Sequence, residues 1–334
     1  MKDKICVIGL GYVGLTLAAF LANKDVKTFG IDSSTDKISV LSKGISDVHE
    51  ENLDQIINKC LSNSIIEFYS SLDEGFCNEY KNRVTTYFVC VPTPVAKSGL
   101  SDLSYLIKAI DDIARYLKNG DMVIIRSTVP VGTTRKLSKR LSSKSNLIPG
   151  IDFSICFAPE RTIEGRALFE LETLPQVIGG VSSNCLSRCS AFFEKLGTKV
   201  VQVESTESAE LVKIASNAYR DYSFSFANTL ALMSKEFNLE VREVIEAANF
   251  GYSRNNIPLP SPGVGGPCLS KDPYLMMDKV GKVYENIVQA RFINEIMPAE
   301  LAKVILDSPV LNPNSNILLI GMAFKGNPPT NDFR

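Results

Sequence analysis

Residues 4–32 read KICVIGLGYVGLTLAAFLANKDVKTFGID. KICVIG is a short apolar run closed by glycine, residues 12–23 carry apolar side chains at helical spacing, and 26–31, VKTFGI, form a second strand-like run. The order is strand, tight turn, helix, strand. Inside it, Gly9-Leu10-Gly11-Tyr12-Val13-Gly14 is a GxGxxG motif that follows a strand and opens a helix. The first glycine permits the turn, the second lets the backbone approach a pyrophosphate, and the third lets helix and strand pack closely. The helix start adds free N–H groups and a positive dipole end for that anion. The second strand ends at Asp32, 18 residues past Gly14. A carboxylate there binds both ribose hydroxyls and repels a 2′-phosphate. These residues predict a dinucleotide site that takes NAD rather than NADP. The competing reading is a glycine turn kept for packing alone.

Working outward, 86–91 (TYFVCV) and 121–126 (DMVIIR) are apolar along nearly their whole length. A helix lies between them, with apolar positions at Leu103, Leu106, Ile107, Ile110, Ile113 and Leu117. Strands apolar on both faces, alternating with helices, indicate a parallel doubly wound α/β sheet, the Rossmann arrangement. Residues 154–158 and 199–203 read as further strands of this domain, expected to span 1–203. From Ser205 to about Phe250 the chain lacks proline and interior glycine and starts with SxxS and acidic residues, which predicts one long helix. A helix of that length makes a spine for a central helical domain, 204–306, and for a dimer. Residues 251–273 are rich in Gly and Pro, and a loop that long is usually functional or disordered. Helical spacing resumes from Pro273 to about Leu306, and DSPVLNPNSN reads as a linker. ILLIG at 317–321 resembles the first strand of another α/β domain, starting at about 312.

The 334 residues are 45% hydrophobic and 22% charged, with a net charge of −1, so no bulk attraction to nucleic acid or anionic lipid is expected. Glycines and Tyr12 interrupt the apolar N-terminus and no small-residue cleavage site follows it, which argues against a signal peptide. No apolar run approaches the ~18 residues of a membrane span. A cytoplasmic protein without membrane or nucleic-acid partners is the expectation. None of the eight cysteines forms a CxxC pair, and Cys6, Cys90 and Cys156 read as small buried hydrophobes. The single histidine, His49, lies in the polar stretch SDVHEEN and reads as solvated. No metal site is expected, and proton transfers fall to Lys, Asp, Glu or water.

Three further constellations carry chemistry. Val91-Pro92-Thr93-Pro94 and Ser127-Thr128-Val129-Pro130-Val131 follow two strands, at the carboxyl ends where doubly wound sheets bind ligands. Ordinary turn chemistry is the alternative. Lys213 and Asn217 are four apart on the long helix, so they share a face that suits a developing alkoxide and its water, or simply faces solvent. Cys268 sits in Gly263-Val264-Gly265-Gly266-Pro267-Cys268-Leu269-Ser270-Lys271-Asp272-Pro273. Glycines admit a bulky ligand, Lys271 favours thiolate, and Asp272 suits a base or a water-orienting role. A packed cysteine in a turn is the bland alternative.

Taken together, GLGYVGL (9–15), VPTP (91–94), STVPVGTT (127–134), APERTIEG (158–165), ELVKIASNAYR (210–220), GVGGPCLSKD (263–272) and GMAFKG (321–326) resemble the UDP-glucose/GDP-mannose dehydrogenase family along essentially the whole chain. The resemblance implies oxidation of a sugar C6 alcohol to a carboxylate with two NAD. It makes Cys268 the nucleophile, with Lys213 stabilising oxyanions beside Asn217, and with Asp272 paired to that lysine and to water. Thr128 and Glu160 match water-positioning residues, and Glu164 a glutamate near the substrate. Asp32 matches the ribose-binding acid. Gly9, Gly11, Tyr12, Val13, Gly14, Pro92, Thr93 and Thr128 fall on the cofactor side.

Arg161 and the PGVGG preceding Cys268 resemble the branch acting on UDP-N-acetylhexosamines, UDP-N-acetylmannosamine or UDP-N-acetylglucosamine, whereas Lys271 is closer to the UDP-glucose pattern. UDP-glucose and GDP-mannose remain alternatives. Lys325 matches a substrate-binding lysine and Arg334 an arginine near the cofactor. Family members continue beyond this segment, so the resemblance implies a last α/β domain that is incomplete at residue 334. It also implies a homodimer formed through the central helices. Two rivals stand beside it. One is a two-electron β-hydroxyacid or 6-phosphogluconate-type dehydrogenase, which shares the Rossmann fold and a KxxxN helix without a nucleophilic cysteine. The other is a non-catalytic NAD-binding fragment.

Overall fold

The computed structural model describes residues 4–72, 84–95, 100–266, 268–276, 285–312, 314–321 and 323. They fall into two compact units, Met1–Lys213 and Ile214–Arg334. The first is built on an eight-stranded sheet: β1 (Lys4–Ile8), β2 (Thr28–Ile31), β3 (Ile66–Tyr69), β4 (Val84–Val89), β5 (Met122–Ile125), β6 (Ser154–Phe157), β7 (Gln176–Gly180) and β8 (Val200–Val203). Its order is β3-β2-β1-β4-β5-β6-β7-β8. The order reverses at β1, which pairs with both β2 and β4, and this switch point is where such sheets bind ligands.

All neighbours are parallel except β6 and β7, where Cys156 opposes Gly180 and Phe157 opposes Gly179 in antiparallel register. The sheet is the expected parallel, doubly wound one apart from that one pair. The helices on its faces are α1 (Tyr12–Asn23), α2 (Thr35–Leu41), α3 (Leu53–Ser62), α4 (Ser104–Ala114), α5 (Thr133–Ser145), α6 (Ala167–Thr173) and α7 (Ser183–Lys195). Gly14 to Ala22 of α1 are buried without a break, as befits a helix apolar all round. On the same face Phe88, Phe192 and Phe193 form an aromatic cluster with centroids 5.4–6.1 Å apart.

The expected helix from 205 to 250 is two helices, α8 (Thr206–Glu236) and α9 (Val241–Asn249). Asn238 breaks it by adopting φ 54°, a left-handed conformation that asparagine tolerates. The N–H of Leu239 then donates to Ser234 O and that of Asn238 to Lys235 O, closing the orphan carbonyls of α8.

α8 is amphipathic in the reverse of the usual sense. In the second unit its buried face carries Asn217, Asp221, Ser225 and Asn228. Its exposed face carries Tyr219, Tyr222, Phe226 and Met233 at spacings of three, four and seven. The expected helix from Pro273 is instead a 3-10 turn at Asp272–Met276, with α10 spanning Glu285–Leu306. Residues 317–321 carry no strand, and Ile317 to Ile320 are exposed; a lone strand has no neighbour to satisfy its backbone. Among the described residues, no helix is long and apolar enough to cross a membrane.

Candidate active site

The glycine turn is built as the spacing implies. Gly9 has φ +89°, and a Cβ on Gly14 would lie 1.8 Å from the Gly9 carbonyl oxygen. Both positions therefore demand glycine for reasons internal to the fold. Gly11 differs: its φ is −69°, and a Cβ built there meets nothing within 4 Å. Protein packing does not require glycine at 11, whereas a pyrophosphate seated on the start of α1 does. The residues present therefore fit a dinucleotide. The Asp32 carboxylate accepts the N–H of Leu10 at 2.8 Å through one oxygen and that of Ser34 at 3.0 Å through the other, which fixes it beside the turn.

Tyr12 is more than a turn residue. Its hydroxyl donates to Glu50 at 2.6 Å and accepts the N–H of Gly165 at 2.9 Å. Burial and the Glu50 carboxylate push its pKa well above the usual tyrosine value. Glu50 also accepts from Gly165 N and Leu168 N, at 3.0 and 3.2 Å. The glycine turn is thereby tied to the loop that carries Glu164.

The two loops after β4 and β5 are cross-linked. Thr93 donates to the Thr128 carbonyl at 2.6 Å, and Ser127 donates to the Val91 carbonyl at 2.6 Å. Glu210 of α8 accepts the N–H groups of Gly132 and Thr134 at 2.5 and 2.7 Å, capping α5. Pro92 is exposed and Thr93 buried at this edge.

Glu160 lies just beyond β6 and is buried against Arg126, whose guanidinium donates to it. It also accepts the N–H groups of Arg161 and Thr162 at 2.7 and 2.8 Å. Burial pushes this carboxyl up. The charge and hydrogen bond of Arg126, the Thr162 N–H and the charge of Lys213 outweigh that and hold it below the ordinary glutamate value. Arg126 further donates to Gln176 Oε1 at 2.9 Å and to the Ala158 carbonyl at 3.3 Å. The sequence reading placed Arg126 only at the end of a strand. Its role as the counter-ion of Glu160 depends on residues 32 to 50 positions away. Arg161 donates to the Pro175 carbonyl.

In the second unit, Asn217 donates to Asp272 Oδ2 at 2.5 Å, and Asp272 is 1% exposed. Lys271 Nζ lies 3.9 Å from Asp272 Oδ1. The Cys268 carbonyl accepts the N–H groups of Lys271 and Asp272 at 3.2 and 2.9 Å, so Cys268 opens a helical turn. Its side chain is exposed, unlike the buried Cys6, Cys60, Cys156, Cys185 and Cys189. Burial pushes the Cys90 thiol up to about 12, which leaves it unreactive. Lys325 and Arg334 lie outside the described residues. Among the described residues no group of three or more His, Cys, Asp or Glu is placed to hold a metal ion.

The NAD-binding domain of the UDP-glucose/GDP-mannose dehydrogenase family matches residues 3–197, and its central domain matches 207–298. The chain belongs to the UDP-glucose/GDP-mannose dehydrogenase family. As a member it is an NAD-dependent nucleotide-sugar dehydrogenase. The UDP-N-acetyl-D-mannosamine dehydrogenase of Pyrococcus horikoshii is 33% identical over 327 residues, covering 97% of this chain and 76% of the relative. A solved structure of the P. horikoshii UDP-D-ManNAc dehydrogenase superposes with a TM-score of 0.85, covering 91% of this chain and 71% of that one. The native structure of the UDP-N-acetyl-mannosamine dehydrogenase of Staphylococcus aureus gives 0.79 at 29% identity, covering 91% of this chain and 70% of that one.

Proposed function

We propose that this family member oxidises the C6 alcohol of a UDP-N-acetylhexosamine, with UDP-N-acetylmannosamine favoured, to the uronic acid through a covalent intermediate on Cys268. The observation that carries this reading is the setting of Cys268. It is an exposed thiol in a glycine-rich loop, and the turn it opens delivers Asp272 to Asn217. The similarity to UDP-N-acetyl-D-mannosamine dehydrogenases and the presence of Arg161 support the choice of sugar.

NAD, when bound, supplies the hydride acceptor for both oxidations. Gly9, Gly11, Tyr12, Val13, Gly14 and Asp32 would hold it, together with Pro92, Thr93 and Thr128. After the C6 alcohol has lost a proton and a hydride, the Cys268 thiolate adds to the resulting aldehyde to give a thiohemiacetal. Loss of the hydroxyl proton and a second hydride turns that into a thioester, and water cleaves the C–S bond to release the carboxylate and restore the thiol. Lys213 stabilises the oxyanions, and Asn217 and Asp272 hold the water. We assign Glu160, ionised by Arg126, and Thr128 to positioning water as well. Arg161, Glu164 and Lys271 contact the substrate.

In domain terms, we assign residues 1–203 to NAD, 204–306 to a central domain carrying the Cys268 loop, and 312 onward to nucleotide-sugar binding. The exposed stripe of α8 is the seat of a homodimer, because the row of Tyr219, Tyr222, Phe226 and Met233 along one helix suits an isologous helix-to-helix contact with a second copy. The reaction takes place in the cytoplasm, and its product feeds polysaccharide assembly.

The test is Cys268→Ser. Acid formation from UDP-N-acetylmannosamine, followed by mass spectrometry, is abolished while NAD affinity stays unchanged. Normal acid production by that variant removes the covalent step.

A further inference from the structure

The loop around Cys268 contains three glycines and two prolines within 262–267, and glycine-rich backbone gives up the most conformational freedom when it is fixed. Something must fix it. The candidate is Arg291 of α10, which is 4% exposed and lies in a polar net between α10 and α8. Its Nη1 donates to Asp221 Oδ1 at 2.6 Å and to the Leu269 carbonyl at 3.3 Å, and its Nη2 donates to the Val264 carbonyl at 2.9 Å. Its Nε donates to Glu295 Oε1 at 3.2 Å. The two carbonyls bracket Cys268, four residues before and one residue after.

The same net holds the loop further upstream. Asn294 donates to the carbonyl and to Oδ1 of Asp221, both at 2.9 Å. Asn228 donates to Asn294 Oδ1 at 2.9 Å, and its own Oδ1 accepts the N–H of Ser261 at 2.8 Å.

We propose that Arg291 is the positioning residue of the Cys268 loop, holding the backbone on both sides of the sulfur through the Val264 and Leu269 carbonyls. This rests on the reading of Cys268 as nucleophile. A planar guanidinium is the group that can reach a carboxylate and two carbonyls at once. A lysine ammonium keeps the charge opposite Asp221 but not the fork. A small displacement of a reacting group costs about 100-fold in rate.

The experiment compares wild type, Arg291→Lys, Arg291→Met and Cys268→Ser in the full chain. It measures kcat for acid formation, the KM for UDP-N-acetylmannosamine, the Kd for NAD, and the rate of Cys268 alkylation by iodoacetamide, read by peptide mass spectrometry. For Arg291→Met we expect kcat to fall about 100-fold with NAD Kd within about twofold, and the Cys268 alkylation rate to change in the folded protein. For Arg291→Lys we expect a loss of about tenfold, a partial rescue. Should Arg291→Met fail to fold, Arg291→Lys carries the test. Wild-type kcat and alkylation rate in a folded Arg291→Lys, with Cys268→Ser inactive, overturn this proposal alone. An active Cys268→Ser overturns the reading beneath it.

Discussion

Arg126→Met is the perturbation whose consequences the structure fixes most closely. The Arg126 side chain is fully buried, and Glu160, its ionic partner, is 6% exposed. Methionine fills much of the volume but leaves a carboxylate in the interior with the backbone N–H groups of Arg161 and Thr162 and the charge of Lys213. It also takes a donor from Gln176 Oε1 and from the Ala158 carbonyl. Removing one member of a buried ion pair costs roughly 3–5 kcal/mol. At about 2–4 °C per kcal/mol for a unit of this size, the melting temperature falls by about 6–20 °C.

The pH dependence identifies the cause. In the wild type Glu160 is held below its unfolded value, so the stability it contributes is fully present above that value and is lost as pH falls through the folded pKa. In Arg126→Met burial acts without the guanidinium and raises the folded pKa above the unfolded one. Stability of the variant then declines as pH rises through the interval between them, and the deficit is larger at pH 8 than at pH 5. Urea unfolding at both pH values measures this. The double variant Arg126→Met/Glu160→Gln, which removes the stranded charge, recovers part of the loss. A deficit below about 1 kcal/mol, or one independent of pH, refutes the assignment of Arg126 as the group that keeps Glu160 ionised.

Two further outcomes follow from other parts of the molecule. Asp32→Ala raises the Kd for NAD by about tenfold or more while changing kcat at saturating NAD far less, and titration calorimetry showing unaltered affinity removes Asp32 from the cofactor site. Phe226→Ser with Tyr222→Ser shifts the protein toward monomer in sedimentation velocity, and a wild type that sediments as a monomer at the same concentration contradicts the dimer.

What the sequence made legible was governed by local rules. β1, the glycine turn and α1 could be read because the turn's constraint is local: Gly14 faces Gly9, five residues before it. The parallel strands could be read because burial on both faces leaves continuous apolar runs. β3 and β7 were not legible. Each is four or five residues long, and β7 ends in two glycines that a period-based reading takes for a turn. The end of α8 was missed because the residue adopting the left-handed conformation is Asn238 rather than a glycine.

In the candidate site, the Cys268 loop, Asp272 and Asn217 were singled out by local composition and spacing, and Glu160 by the family resemblance. Arg126 and Arg291 did not, because both act on groups brought near by tertiary structure, across 22 to 70 residues in the case of Arg291. One signal was available. A helix whose polar residues Asn217, Asp221 and Asn228 recur at buried spacing, while Tyr219, Tyr222 and Phe226 occupy the opposite face, has an interior that is polar and must be satisfied by another element.

In the proposed reaction one active site removes four electrons from the same carbon without releasing the aldehyde. The direct measurement is the amount of NADH formed per UDP-N-acetylmannosamine consumed to completion, with ultraviolet absorbance for the first quantity and mass spectrometry for the second. Two NADH and one uronic acid per sugar are expected from that reaction. One NADH per sugar, with an aldehyde or ketone as the product, contradicts it and returns the chain to ordinary two-electron dehydrogenation.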